Sequence, residues 1–284
     1  ALTKEEEDIM ERLERAFENC EKLQRHMHFL LNKGGLYKVY NGNLLYHGCV
    51  PLKEDGNLKS VRIYGRAYKG KGLYEVLESY VRKGFYAMDP KEKERGKDIM
   101  WYIWLSENSP LFGKDKMATF ERYFLAEKET HKEKKNPYYL LLEDEKVVEK
   151  ILKEFGLENE DAHIINGHVP VKCKDGENPV KCGGKVLVID GGFSKAYQKE
   201  TGIAGYTLIY NSYGLILAAH KPFESTEAAI EKESDIHSDS TVVKRTLERK
   251  KVEDTDVGKE LKEQISDLEV LLAAYRSGVI AERM

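Results

Sequence analysis

Apolar residues at Ile9, Leu13, Ala16, Phe17, Cys20, Leu23, Met27 and Leu30 recur at helical spacing and predict one long N-terminal helix. Thr3-Lys4-Glu5-Glu6 has the form of a capping box, in which the Thr3 hydroxyl takes the Glu6 amide and Glu6 reaches back. Gly34-Gly35 marks the end. His26 and His28, near that end, read as solvent-facing groups or as partners of the helix dipole. Residues 36–40 and 43–46 flank Asn41-Gly42, which predicts a hairpin because both turn positions favour positive φ. Residues 53–70 are polar and glycine-spotted, as in a strand with loops. Leu73, Val76, Leu77, Tyr80 and Val81 predict a helix closed near Gly84, and a second helix is predicted around residues 99–105. The latter carries Trp101, Tyr102 and Trp104, whose spacing predicts core positions. Residues 109–116 read as a loop leading into 117–124, and the charge-dense run 127–137 as a solvated loop or flap.

A helix is predicted over 147–155, stopped at Gly156. Two short apolar strands follow. Ile164-Ile165-Asn166-Gly167-His168-Val169-Pro170 runs into a tight Gly-His turn, and Lys185-Val186-Leu187-Val188-Ile189-Asp190-Gly191-Gly192 runs into an Asp-Gly-Gly turn. Residues 207–210 and 215–219, around Asn211-Ser212-Tyr213-Gly214, predict another hairpin. Beyond them a helix is predicted near 224–232 and an exposed strand near 241–247. Leu261, Ile265, Leu268, Leu272 and Tyr275 line one face of a last helix, with Gly278 past its end. The sum is a mixed α and β chain of hairpins and peripheral helices.

The 284 residues are 41% hydrophobic and 33% charged, enough for a substantial core. With 46 basic against 49 acidic residues the net charge is -3, so no basic surplus points to nucleic acid or an anionic membrane. The longest apolar runs are too short to span a bilayer, and the first residues are charged and helix-forming, unlike a secretory leader. Four scattered cysteines do not make a disulfide scaffold. These features predict a cytoplasmic protein. Residue 1 is Ala and the first Met is Met10, inside a predicted helix, so the sequence is expected to be part of a longer chain.

His47, in Tyr46-His47-Gly48-Cys49, and His168 each end an apolar strand beside a glycine. Ligands gather at the carboxyl ends of strands in layered α/β folds, and neutral imidazole is a common ligand for divalent cations. The two histidines are therefore candidate ligands of one metal site, against the plainer reading of hydrogen-bonded strand ends. Cys173 and Cys182 fit no zinc knuckle. Cys49 as a thiolate based by His47 conflicts with a metal role for that histidine.

Longer phrases carry a resemblance. Glu21-Lys22-Leu23-Gln24-Arg25-His26-Met27, Asn43-Leu44-Leu45-Tyr46-His47-Gly48-Cys49, residues 109–124, 164–172 and 187–198, residues 202–214, and Asp254-Thr255-Asp256-Val257-Gly258-Lys259-Glu260-Leu261 resemble the class III fructose-1,6-bisphosphatases of Firmicutes and related anaerobes, over essentially the whole chain. That family looks like a branch of the calcineurin-like metallophosphoesterases. The resemblance implies an α+β / α/β fold, the C-terminal part of a four-layered α/β/β/α sandwich with extra peripheral helices. Residues 1–222 would belong to the catalytic domain, with helical insertions around 72–160, and 223–284 to a helical extension packed on it. It also implies hydrolysis of the 1-phosphate of fructose 1,6-bisphosphate in gluconeogenesis, with His47 and His168 as metal ligands and manganese, in a binuclear centre, as the ion.

The superfamily's Gly-Asp-x-x-Asp and Gly-Asn-His elements are absent from the 284 residues. The resemblance would place them, with the general acid, upstream of Ala1, and the chain alone is expected to be catalytically incomplete. Lys114, Lys116 and Arg122, in a loop between the two histidines, are candidates to grip phosphate, with no choice among them, against a solvated basic loop. Asp190 would orient His168 or cap the Gly191-Gly192 turn, and Lys195 and Tyr197 would touch sugar or phosphate. The expected partners are a sugar bisphosphate and the missing N-terminal part of the same protein, with homo-oligomers left open. The alternatives are a non-catalytic interaction or regulatory fragment, and a phosphatase of the same superfamily acting on another phosphoester.

Overall fold

Asn19 divides what the apolar period reads as one helix. In the computed structural model, which describes residues 2–190, 192–223, 225–233, 237–246 and 248–281, the N-terminal stretch forms α1 (Lys4–Glu18) and α2 (Glu21–Lys33). The Asn19 side chain and its backbone N–H both donate to Arg15 O, and Cys20 adopts an extended conformation. An asparagine that bonds the carbonyl four residues back in this way competes with continuation of the helix. The capping box at Thr3 and Glu6 forms, and neither helix buries a residue. His28 packs edge-on against Phe85, with ring centroids 5.0 Å apart.

The first hairpin forms as its turn residues demand. Asn41 and Gly42 both lie at positive φ, 50° and 76°, and join β1 (Tyr37–Tyr40) to β2 (Asn43–Tyr46). A second small hairpin, β3 (Val61–Ile63) and β4 (Arg66–Tyr68), stands apart. It precedes α3 (Gly70–Tyr86) and α4 (Pro90–Leu105), which cross where Gly84 meets Gly96; a Cβ built on Gly84 would stand 2.5 Å from the Gly96 Cα. That crossing fixes which side of α4 is buried. Ile99 and Ile103, one turn apart, face Leu73 and Leu77. Trp101 and Trp104 do not join the core: they are 63% and 57% exposed, and Tyr102 is half-buried. Helical spacing alone cannot say which of two apolar stripes meets a neighbour.

After the short helix α5 (Thr119–Phe124), α6 (Glu145–Glu154) begins at Asp144, whose side chain accepts the Lys146 and Val147 amides. The strands β5 (His163–Asn166), β6 (Val180–Lys181) and β7 (Val186–Val188) complete a sheet of order β1-β2-β5-β7-β6, in which β2, β5 and β7 are parallel. Alternation of side chains sends Leu44, Ile164 and Val186 into a core with Tyr74, Val148 and Ile151 of α3 and α6. Ile165 and Leu187 point the other way and pack with Leu215. After α7 (Lys195–Thr201), Leu215 comes from a second, antiparallel sheet of β8 (Gly205–Asn211), β9 (Gly214–His220) and β10 (Ser238–Arg245), in the order β10-β9-β8. Between β9 and β10 lies α8 (Thr226–Glu231). The predicted strand near 241–247 is thus β10, shifted toward the N-terminus, and Leu247 lies outside the described residues.

The last helix, α9 (Asp256–Arg276), is fastened at its first turn. Asn41 N–H donates to Asp256 Oδ2 at 2.7 Å, and Asp256 N–H donates to Asn41 Oδ1 at 2.9 Å. Its stripe of Leu261, Ile265, Leu268 and Leu272 is exposed. Among the described residues no helix is long and apolar enough to cross a membrane.

His163 gives this fold a pH dependence. It is buried at the start of β5, and burial, followed by the nearby Lys244 cation, pushes its imidazole down to about 4; Asp161, ion-paired with Lys244, opposes the shift. Between about pH 6.5 and 4 the unfolded imidazole binds a proton that the folded one does not, so stability falls as pH falls through that window. A loss of about 2–3 kcal/mol is expected from this group between pH 7 and 4. Urea midpoints measured across that range should drop in the native sequence and drop less in His163→Leu; equal slopes would contradict the assignment.

Candidate active site

Three neighbouring parallel strands bring the candidate residues to one edge. His47 follows β2 directly, His168 lies two residues past β5, and Asp190 two past β7. The turns are tied together: Gly167 N–H donates to His47 O at 2.9 Å, Asn166 Nδ2 to Gly48 O at 3.0 Å, and Val171 N–H to Asp190 O at 2.8 Å. Gly48 is required where it stands, since a Cβ there would lie 2.5 Å from Pro110 O. That close approach brings the 109–112 loop over the two strand ends.

His168 has a φ of 69°, a left-handed conformation that costs a non-glycine residue about 1–2 kcal/mol. Its Nε2–H donates to Phe112 O at 2.9 Å, and a carbonyl can only accept, so Nδ1 carries the lone pair. That nitrogen faces His47 Nε2 at 3.0 Å. Burial lowers the basicity of His168, helped by the His47 and Lys114 charges and opposed by Phe112 O and Asp190. Burial also lowers that of His47, with Asp190 opposing. The Asp190 carboxylate accepts Gly192 N–H at 3.0 Å, as a turn cap does, and acts on both imidazoles through its charge.

Both histidines open on a cleft of ≈ 1450 Å³ walled by Phe112, Lys114, Arg122, Lys135 and Lys172 among others. Of the three cations singled out in the sequence, Lys114 and Arg122 line it, and both face Glu133, at 3.0 and 3.9 Å. Lys116 does not line it; its ammonium donates to Thr130 O at 2.6 Å. Lys195 begins α7 and also lies outside the lining. Of Tyr197 only the backbone, within α7, is described. Lys135 and Lys172 were not anticipated. Lys135 sits in the charge-dense run, where the sequence carries no sign that it turns back to pair with Lys114.

Cys49 takes no part in nucleophilic chemistry. It is fully buried, and burial pushes its thiol up to about 12. In the folded protein at pH 8, Cys49 is expected to resist a thiol reagent that labels the exposed Cys20, as read by peptide mass; labelling at a similar rate would contradict this.

A family model described as Firmicute fructose-1,6-bisphosphatase matches residues 1–277. The chain belongs to that family. Proteins named fructose-1,6-bisphosphatase class 3 from Clostridium botulinum (strain Hall) and Clostridium novyi (strain NT) are 57% and 56% identical to it, each over 99% of the chain. The protein of that name from Alkaliphilus metalliredigens (strain QYMF) is 56% identical over 99% of the chain. The chain spans 42–43% of the length of these relatives. No solved structure matches it. Within the family match lie both histidine turns, the cleft and its lysines.

Proposed function

We propose that this Firmicute-type fructose-1,6-bisphosphatase chain contributes to metal-dependent removal of the 1-phosphate of fructose 1,6-bisphosphate, a step of gluconeogenesis. The observation that carries the reading is the convergence of His47 Nε2 and His168 Nδ1, 3.0 Å apart at adjacent parallel strand ends, on a cleft lined with cations. The names and identities of the relatives supply the substrate.

The donor set fits a divalent ion as two ligands of a larger set. His168 donates its other ring N–H to a backbone carbonyl, the arrangement that fixes the tautomer of a metal-binding histidine. Among the described residues no group of three or more His, Cys, Asp or Glu side chains could hold an ion, so a complete centre needs ligands beyond these. Manganese, as a pair of ions, is the metal of this proposal; when bound, such ions polarise phosphoryl oxygens and neutralise their charge. The chain's own residues orient the phosphate. His47 and His168 fix one end of the cleft, and the lysine wall supplies positive charge along it.

Intact protein given Mn²⁺ should release inorganic phosphate from fructose 1,6-bisphosphate, and a panel of other phosphoesters should be poorer substrates. A better rate on phosphoproteins would replace the sugar reading. A second reading, an interaction module without chemistry of its own that docks on other parts of the protein or on another copy, is favoured by the exposed apolar faces of α1 and α9. Absence of phosphate release from every ester tested would support it.

A further inference from the structure

Two short backbone stretches bring lysines face to face on the cleft wall. Residues 113–115 and 134–136 run antiparallel: Asp115 N–H donates to Lys134 O, Asn136 N–H donates to Gly113 O, both at 2.9 Å, and Lys114 and Lys135 are direct partners. Directly opposed residues in an antiparallel pair project to the same face, and like charges so placed destabilise the pairing. Lys172, in the segment after the His168 turn, adds a third ammonium group to the same cleft. Burial, then the charges of Lys114 and Lys172, lowers the basicity of Lys135. The arrangement costs stability unless something anionic covers it.

The protein's own carboxylates cover it incompletely. Glu133 holds Lys114 at 3.0 Å and also accepts the Ala118 amide. Glu177 is engaged by Lys181 at 3.1 Å and by the Lys172 amide at 3.0 Å. Glu200 lines the cleft without an ion pair to either Lys135 or Lys172. Among the described residues, the ammonium groups of Lys135 and Lys172 have no carboxylate within 4.0 Å. Both share one cleft with His47 and His168.

We propose that Lys135 and Lys172, beside Lys114, receive the phosphate group of a sugar bisphosphate that is not cleaved. This rests on the hydrolytic reading above and assigns the discrimination of a bisphosphate from a monophosphate to lysines outside the histidine pair. A phosphate dianion offers three oxygens and can bridge several ammonium groups at once. A substrate lacking the second phosphate leaves these lysines unengaged, so the preference appears in KM.

The test compares Lys135→Gln, Lys172→Gln and the double variant with Lys134→Gln, whose ammonium pairs with exposed Glu54 instead. In the intact protein, each cleft variant should raise KM for fructose 1,6-bisphosphate about 10- to 100-fold, with kcat changed far less. Hydrolysis of an aryl monophosphate should fall far less than that of fructose 1,6-bisphosphate, Lys135→Arg should restore most of the KM, and Lys134→Gln should match the native sequence. Unchanged KM, or equal losses on the aryl ester, would overturn the subsite. A second readout needs no turnover: inorganic phosphate titrated into metal-free protein should bind, and binding should be lost in the double variant. Binding that survives there overturns the proposal. Binding lost there, in a protein that hydrolyses no bisphosphate, supports the anion site and overturns the hydrolytic reading instead.

Discussion

Replacing His168 with Ala is expected to lower phosphate release from fructose 1,6-bisphosphate by more than about 100-fold, beyond the loss found when only a group that orients a ligand is removed. The substitution takes away the nitrogen that faces His47 at 3.0 Å and leaves Phe112 O without its donor. His168→Gly separates the site from the fold. Both variants lose the imidazole, but Ala keeps a Cβ at a φ of 69° and Gly does not. The Gly variant should therefore be more stable than the Ala variant by about 1 kcal/mol, and as inactive. Activity within about tenfold of the native sequence in either variant would sink the ligand assignment, and a Gly variant less stable than the Ala variant would sink the strain argument. His47→Ala should cause a comparable loss of rate.

Tyr74→Ala is expected to cost about 3–5 kcal/mol of stability, the range for truncating a buried aromatic side chain. Tyr74 is fully buried on α3, with its ring edge-on to Tyr37, Tyr46 and Phe155. Its hydroxyl donates to Cys49 O at 2.9 Å, which ties the turn after His47 to the helix. Tyr74→Phe keeps the ring and should cost about 1–2 kcal/mol, the penalty for leaving a buried carbonyl unpaired. Denaturant unfolding of both variants checks the ranking. A Tyr74→Ala loss below about 1 kcal/mol would mean that α3 does not brace the site.

Much of the scaffold was readable in local pattern. Asn41-Gly42 specified the first hairpin, because both residues tolerate positive φ, and the apolar run at residues 164–166 specified a short strand ending in a Gly-His turn. The helices α3, α6 and α9 followed from their apolar period. Pattern failed where a local hydrogen bond or a choice of face decided the outcome. Asn19 broke the N-terminal helix through one side-chain bond to Arg15 O, and the Gly84–Gly96 crossing turned Ile99 and Ile103 inward and left the tryptophans outside.

The site divides in the same way. Histidine beside glycine at a strand end marked His47 and His168 as candidates, and the longer phrases around them carried the family. That the two imidazoles meet across 121 positions of chain was decided by the order β2-β5-β7, which sets their strand ends side by side. The lysine wall was illegible, because Lys135 reads as one charge among many until residues 134–136 fold back on 113–115. Turn chemistry and apolar period act between residues close in sequence, so the sequence by itself determines the strands, the turns and the residue types at their ends. Which ends adjoin, and which charges are left facing one another, depends on contacts between distant segments, and only the tertiary structure decided them.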